Sequence, residues 1–218
     1  MAPSTHASAP GSGPGSRPRG VVRVSLLRAG VDLARRGGPD AVVLREATRM
    51  VGVAPNAAYR HFADRDALLS AVAGVALRRL AEAMLERIDS LPATAPPQRA
   101  AEALGEVGRS YVDFAVSEPG LFHTAFATRA RPLLDGPGPH DVLTDTLDEC
   151  VRTGVITPAR REWADRFCWS VVHGFAELHV GGPLTDEPAA ARAAGLEAVL
   201  ARIGDALFGG DPAMTLGR

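Results

Sequence analysis

Residues 51–62 read Val51-Gly52-Val53-Ala54-Pro55-Asn56-Ala57-Ala58-Tyr59-Arg60-His61-Phe62, and this run decides the fold. A glycine that tolerates a left-handed backbone is followed, three residues on, by a proline. Proline's fixed φ and missing N–H suit the first position of a helix. Upstream, Leu44, Ala47 and Val51 share one helical face, so the spacing predicts a short helix over 44–51 stopped at Gly52. A second helix is expected over 55–61. Two short helices across a tight turn make a helix-turn-helix at about 43–62. Val53 and Ala58 are its apolar pegs. Pro55, Asn56 and Ala57 form a small surface that can approach DNA closely, and Tyr59, Arg60 and His61 carry groups that reach phosphates or base edges.

Working outward, the pattern is helical nearly throughout. Val22, Leu26, Leu27, Ala29, Leu33 and Ala34 predict a first helix ended by Gly37-Gly38-Pro39. Asp64 is a suitable N-cap for a long helix over 65–89, with Leu68, Leu69, Val72, Ala76, Leu80 and Met84 as its apolar stripe. Further helices are expected at about 97–117, 119–129, 139–153, 159–180 and 188–208, separated by Gly/Pro breakers. No segment alternates like a half-buried strand. The expected class is all-α: a three-helix DNA-binding head followed by a helical bundle for ligand binding and dimerisation, about nine helices in total. The expected domains are 19–66 for the head and 67–210 for the body. Residues 1–18, rich in Ala, Pro, Ser and Gly, are expected to be a disordered tail, and 211–218 a flexible one. Arg17 and Arg19, where the N-terminal tail meets the first helix, read as a basic arm for a minor groove or as part of a solubilising tail.

Charge points the same way. The 218 residues carry a formal net charge of −1, but residues 1–70 hold ten arginines against five acids, and the remainder holds fourteen against twenty. A basic first third on an acidic body suits a polyanion-binding module. With only Cys150 and Cys168 there is no disulfide framework, and no apolar run nears the roughly 18 residues that cross a bilayer. The expected location is the cytoplasm.

At residues 20–70 the chain resembles the DNA-binding domain of the TetR family of bacterial repressors. The matching positions are Leu27, Leu33 and Gly37, then Gly52-Val53-Ala54, then Tyr59-Arg60-His61-Phe62, then Asp64-Arg65-Asp66-Ala67-Leu68-Leu69. The resemblance implies that Arg45 contacts phosphate or a base, that Asn56 and Ala57 face bases, and that Tyr59, His61 and Arg65 contact phosphates. Phe62 would lock the recognition helix to the first helix. Two positions depart from the pattern: Ala54 replaces the usual Ser/Thr cap, and Ala57 presents a methyl suited to a thymine methyl where a hydroxyl is frequent.

Eight of the eleven aromatic residues fall between Tyr111 and Phe175. Tyr111, Phe114, Phe122, Phe126, Trp169 and His173 are expected to converge on a small-molecule pocket inside the bundle. The run Trp169 to Leu178 is similar to the Trp-His-Gly segment of one TetR C-terminal class. That resemblance implies a homodimer through the last two helices, with Gly174, Ala176, Leu178, Ala194, Leu196, Val199, Leu200 and Ile203 as the surface. His173, Glu177 and His179 lack metal-ligand spacing, and no metal or cofactor is expected. The partners expected are double-stranded operator DNA, a small-molecule effector and a second copy of the chain, with no membrane. An α-helical enzyme using the aromatic cavity is the competing class, but no nucleophile elbow, zinc-protease, P-loop or dinucleotide motif is present. A ligand-independent regulator or activator with a filled core is the third reading.

Overall fold

The computed structural model describes residues 19–127, 132 and 134–209; the two expected tails and Arg17 lie outside the described residues. Among these, ten helices and no strand are present, so the chain is all-α.

Helix α1 spans Arg19–Ala41, and Val22, Leu26, Leu33 and Ala34 bury its inner face. Gly37 and Gly38 leave helical geometry there, with φ −152° and +65°, and the chain re-enters a single turn at Pro39. The expected stop is therefore a kink. Helix α2 (Leu44–Val51) has the expected bounds, and Gly52 caps it in the left-handed region at φ 71°, ψ 39°. Helix α3 (Pro55–Ala58) is shorter than the expected 55–61. After Ala58 the chain tightens, with His61 N donating to the Ala58 carbonyl three residues back at 2.8 Å.

Helix α4 (Arg65–Asp89) starts as expected, the Asp64 carboxylate accepting from Ala67 N at 2.7 Å. It passes without interruption through the boundary expected at 66–67 and packs on α1 at one end and on later helices at the other. Those are α5 (Pro96–Ser117), α6 (Pro119–Phe126) and α7 (Pro139–Arg152). The single helix expected over 159–180 is two: α8 (Pro158–Arg161) and α9 (Ala164–Val180). Glu162 is extended and Trp163 sits at φ +65°, and neither conformation continues an α-helix. Helix α10 (Ala189–Phe208) closes the described chain.

One hydrophobic core runs from head to body, from Leu26 and Phe62 through Leu80 and Leu121 to Leu200. Helix α6 joins the two ends. It packs along α1 so closely that a Cβ at Gly120 would collide with the Ala34 carbonyl oxygen and lie 3.0 Å from that of Arg35.

Candidate nucleic-acid interface and effector cavity

The turn between α2 and α3 is built by the backbone. Gly52 N and Val53 N both donate to the Thr48 carbonyl, at 3.0 and 3.1 Å, closing α2 while the chain reverses. Ala54 offers no side-chain cap to α3, so proline's preset φ alone starts that helix. Ala58 is fully buried and Val53 half-buried, as pegs should be. Phe62 is 2% exposed, and the Arg23 guanidinium lies 5.0 Å from its ring centre, tying α3 to α1.

This scaffold leaves one face open. Arg45, Pro55, Asn56, Tyr59 and Arg60 are exposed, Tyr59 at 57%, while Ala57 and His61 are half-buried. The side chains of Arg45, Asn56 and Arg60 make no hydrogen bond or ion pair among the described residues. Arg49, by contrast, is engaged by Glu46, whose carboxyl it holds below the usual range. Arg65 is also engaged: its Nη2 donates to the Pro39 carbonyl at 2.7 Å and lies 3.7 Å from Asp40. It braces the α1 kink, a structural duty that its position in the motif does not reveal.

Behind the head, a cavity of about 40 Å³ lies between α4, α5, α7, α9 and α10. Its walls are mainly apolar, with Met84, Leu104, Val172 and Leu200 among them, and Tyr111, His140 and Trp169 are lining residues with polar groups. Of the six residues expected around a pocket, Tyr111 and Trp169 line it. Phe122, Phe126 and His173 pack beside Tyr111 as a ring cluster with centroid separations of 5.0–6.3 Å, and Phe126 also reaches Trp169. Phe114 is buried in the core and takes no part in those ring contacts. The cluster reaches the cavity indirectly, because the Tyr111 hydroxyl lies 2.7 Å from His173 Nδ1. Burial pushes the Tyr111 phenol up and the His173 imidazole down. A neutral His173 protonated on Nε2, toward Glu177 at 3.8 Å, leaves Nδ1 to accept from the tyrosine.

His140 is the other polar wall, and the sequence does not single it out. Its Nε2 lies 3.3 Å from Asp165 and its ring 5.2 Å from that of Trp169. Its place after Pro139 at the start of a helix gives no periodicity signal.

The expected dimer surface divides in two. Ala176, Leu196, Leu200 and Ile203 are buried within the chain, packed in its own core, and so are not free to meet a second copy. Val199 is half-buried. Gly174, Leu178 and Ala194 are exposed, and Phe167 (41%) and Val171 extend the line along α9. Among the described residues no group of His, Cys, Asp and Glu can hold a metal ion, and no helix is long and apolar enough to cross a membrane.

Comparison with known proteins follows this division. Residues 26–72 match the family model described as bacterial regulatory proteins, tetR family, and residues 104–203 match that of the tetracyclin repressor-like C-terminal domain. Together the two models take in about two thirds of the chain. No curated protein sequence matches significantly. Among solved structures, a protein of unknown function from Rhodococcus sp. RHA1 superposes with a TM-score of 0.66 at 22% identity, over 86% of this chain and 95% of that one. RolR in complex with resorcinol gives 0.56 at 20% identity, over 86% and 92%. A TetR variant from Acinetobacter baumannii AYE in complex with minocycline gives 0.54 at 23% identity, over 80% and 91%. At these identities the likeness is one of fold.

Proposed function

Because the chain belongs to the TetR family of bacterial regulatory proteins, and is a DNA-binding transcriptional regulator, we propose that it is a homodimeric cytoplasmic repressor released from its operator by a small apolar effector. The observation that carries this reading is the set of polar side chains on one face of the α2–α3 unit that have no partner among the described residues. Arg45, Asn56, Tyr59 and Arg60 stand clear of the fold while the pegs and Phe62 hold their backbone rigid. Such groups position a protein on phosphates and read base edges. Pro55, Ala57 and His61 complete the face, and Arg65 contributes at its margin while anchoring Pro39.

Two copies are required to grip successive major grooves, about 34–36 Å apart. The α9 line of Phe167, Val171, Gly174 and Leu178 has the 4-3-4 spacing of a helix–helix seam, and Gly174 has nothing within 4 Å of a built Cβ. Exposed Ala194 on α10 adds a smooth flank. This is the surface for the second copy.

Effector control rests on the cavity and on α6. A space of about 40 Å³ holds a few waters, so an effector has to widen it. Widening displaces α5 and α9, against which α6 is seated through Phe122 and Phe126. Since α6 meets α1 backbone to backbone at Gly120, the displacement is passed to the head, favouring a spacing that DNA does not fit. RolR and the Acinetobacter TetR variant, which share this fold, were solved with resorcinol and minocycline bound.

The test is binding of the purified chain to the DNA upstream of its own gene, read by fluorescence anisotropy across a salt series. Sequence-dependent binding at nanomolar to micromolar protein that weakens with salt is expected. Binding equal to that of unrelated DNA sinks the proposal.

A further inference from the structure

The outer faces of α4, α5 and α7 enclose a second cavity, of about 370 Å³, back to back with the first. Leu85, Ala103 and Val142 line it, while their chain neighbours Met84, Leu104 and Leu143 line the inner one. Its volume lies in the range of small-molecule sites, and its floor is apolar.

Three polar features mark its wall and mouth. Thr94, in the connection between α4 and α5, is part of the wall, its Oγ1 turned away from solvent and without a hydrogen-bond partner among the described residues. Asp145 and Glu149, one turn apart on α7, bring two carboxylates to the opening; Glu149 pairs with Arg152, and Asp145 has no ion-pair partner among the described residues. Among the described residues Arg99 is the one basic residue of the lining, and it is already occupied. Its guanidinium donates to the carbonyls of Ile88, Leu91 and Pro92 at 3.0, 2.9 and 3.2 Å, where the negative end of α4 offsets its charge.

We propose that this groove is a second ligand site, taking an organic amine of modest size. The apolar body lies on Leu85, Ile88 and Val142, and the ammonium sits at Asp145 with Glu149 beside it. The site shares three helices with the inner cavity, so its ligand biases the same walls. The proposal does not depend on the identity of the operator or of the inner effector.

The probe is 2-phenylethylamine against full-length protein, with 2-phenylethanol as its uncharged counterpart, followed by calorimetry and by protein NMR shifts. The amine is expected to bind about fivefold more tightly than the alcohol, and Asp145→Asn to weaken it about threefold, as does added salt. Ala103→Trp, which fills the groove, is expected to abolish binding. Equal binding of amine and alcohol, indifference to Asp145→Asn, or no binding at millimolar amine overturns the proposal. So does loss of binding in Val172→Phe, which fills only the inner cavity, with binding kept in Ala103→Trp. If Ala103→Trp does not fold by circular dichroism, the exposed Asp145→Asn change decides alone. DNA affinity, measured separately, tests the regulatory reading and leaves this one untouched.

Discussion

The Arg35 guanidinium grips the Glu118 carboxylate through more than one nitrogen, Nε lying 2.9 Å from Oε2, and so clamps the start of α6 to α1. Two residues on, Gly120 sits against the carbonyls of Ala34 and Arg35. Ion pair and backbone contact together make the α1–α6 seam a direct contact between head and body, beside the continuous helix α4.

The two parts of this seam differ in weight. Arg35 and Glu118 are 40% and 27% exposed, so Glu118→Gln is expected to cost well under about 1 kcal/mol of stability. Gly120→Ala drives a methyl into rigid backbone and is expected to cost about 1–3 kcal/mol, a fall of several degrees in melting temperature. Thermal unfolding of both variants checks the order; an unchanged melting temperature for Gly120→Ala refutes the close approach.

On the open face of α2 and α3, free side chains and braces are separable by experiment. Arg45→Ala and Arg60→Ala are expected to leave the melting temperature nearly unchanged and to lower the salt dependence of binding by about 0.9 in log–log slope for each phosphate no longer neutralised. Arg65→Ala releases the Pro39 carbonyl and is expected to lower stability as well. Paired anisotropy and unfolding curves distinguish the two classes.

At the seam on α9, Leu178→Asp or Phe167→Asp is expected to convert a dimer into a folded monomer, because each places a charge on an apolar surface while removing nothing from the internal core. Leu196→Asp, buried in its own chain, is expected to unfold the protein instead. Sedimentation with circular dichroism reads both outcomes. A monomeric wild-type chain that still binds a two-half-site operator tightly removes the basis for the dimer.

His173 makes stability depend on pH. Burial lowers its pKa in the fold, with Glu177 opposing, so the unfolded chain binds the proton more readily than the native one. Stability is therefore complete above the ordinary histidine value near ~6.5 and declines as pH falls through it. The decline is expected to flatten in His173→Gln, which keeps a polar partner for Tyr111. A wild-type stability that rises on acidification contradicts this.

Burial pushes the Cys150 and Cys168 thiols up to about 12. Neither is expected to react with iodoacetamide at pH 8 until the chain unfolds, the thiolate being the nucleophile. The same shift costs stability in strong base: between the ordinary thiol value near ~8.5 and about 12, only the unfolded chain sheds these protons, so stability falls as pH rises. Mass spectrometry of native and denatured protein checks the reactivity.

The α2 bounds, the Gly52 cap, the Asp64 cap and the exposure of Arg45, Asn56, Tyr59 and Arg60 were all legible in the sequence. Each is set within a few residues, by side-chain periodicity, by the φ that glycine and proline allow, or by a side chain reaching its own helix. What failed did so for one reason. The break at Trp163 and the turn of α10 that buries Leu196 and Leu200 inside their own chain are decided by packing between elements, which no local pattern records. Apolar spacing says that a face is buried but not against what. The six residues expected around the pocket, Tyr111, Phe114, Phe122, Phe126, Trp169 and His173, were thus recognisable as grouped, yet only packing decided that Phe122 fills the core, that Phe114 stands apart, and that His140 joins the cavity wall.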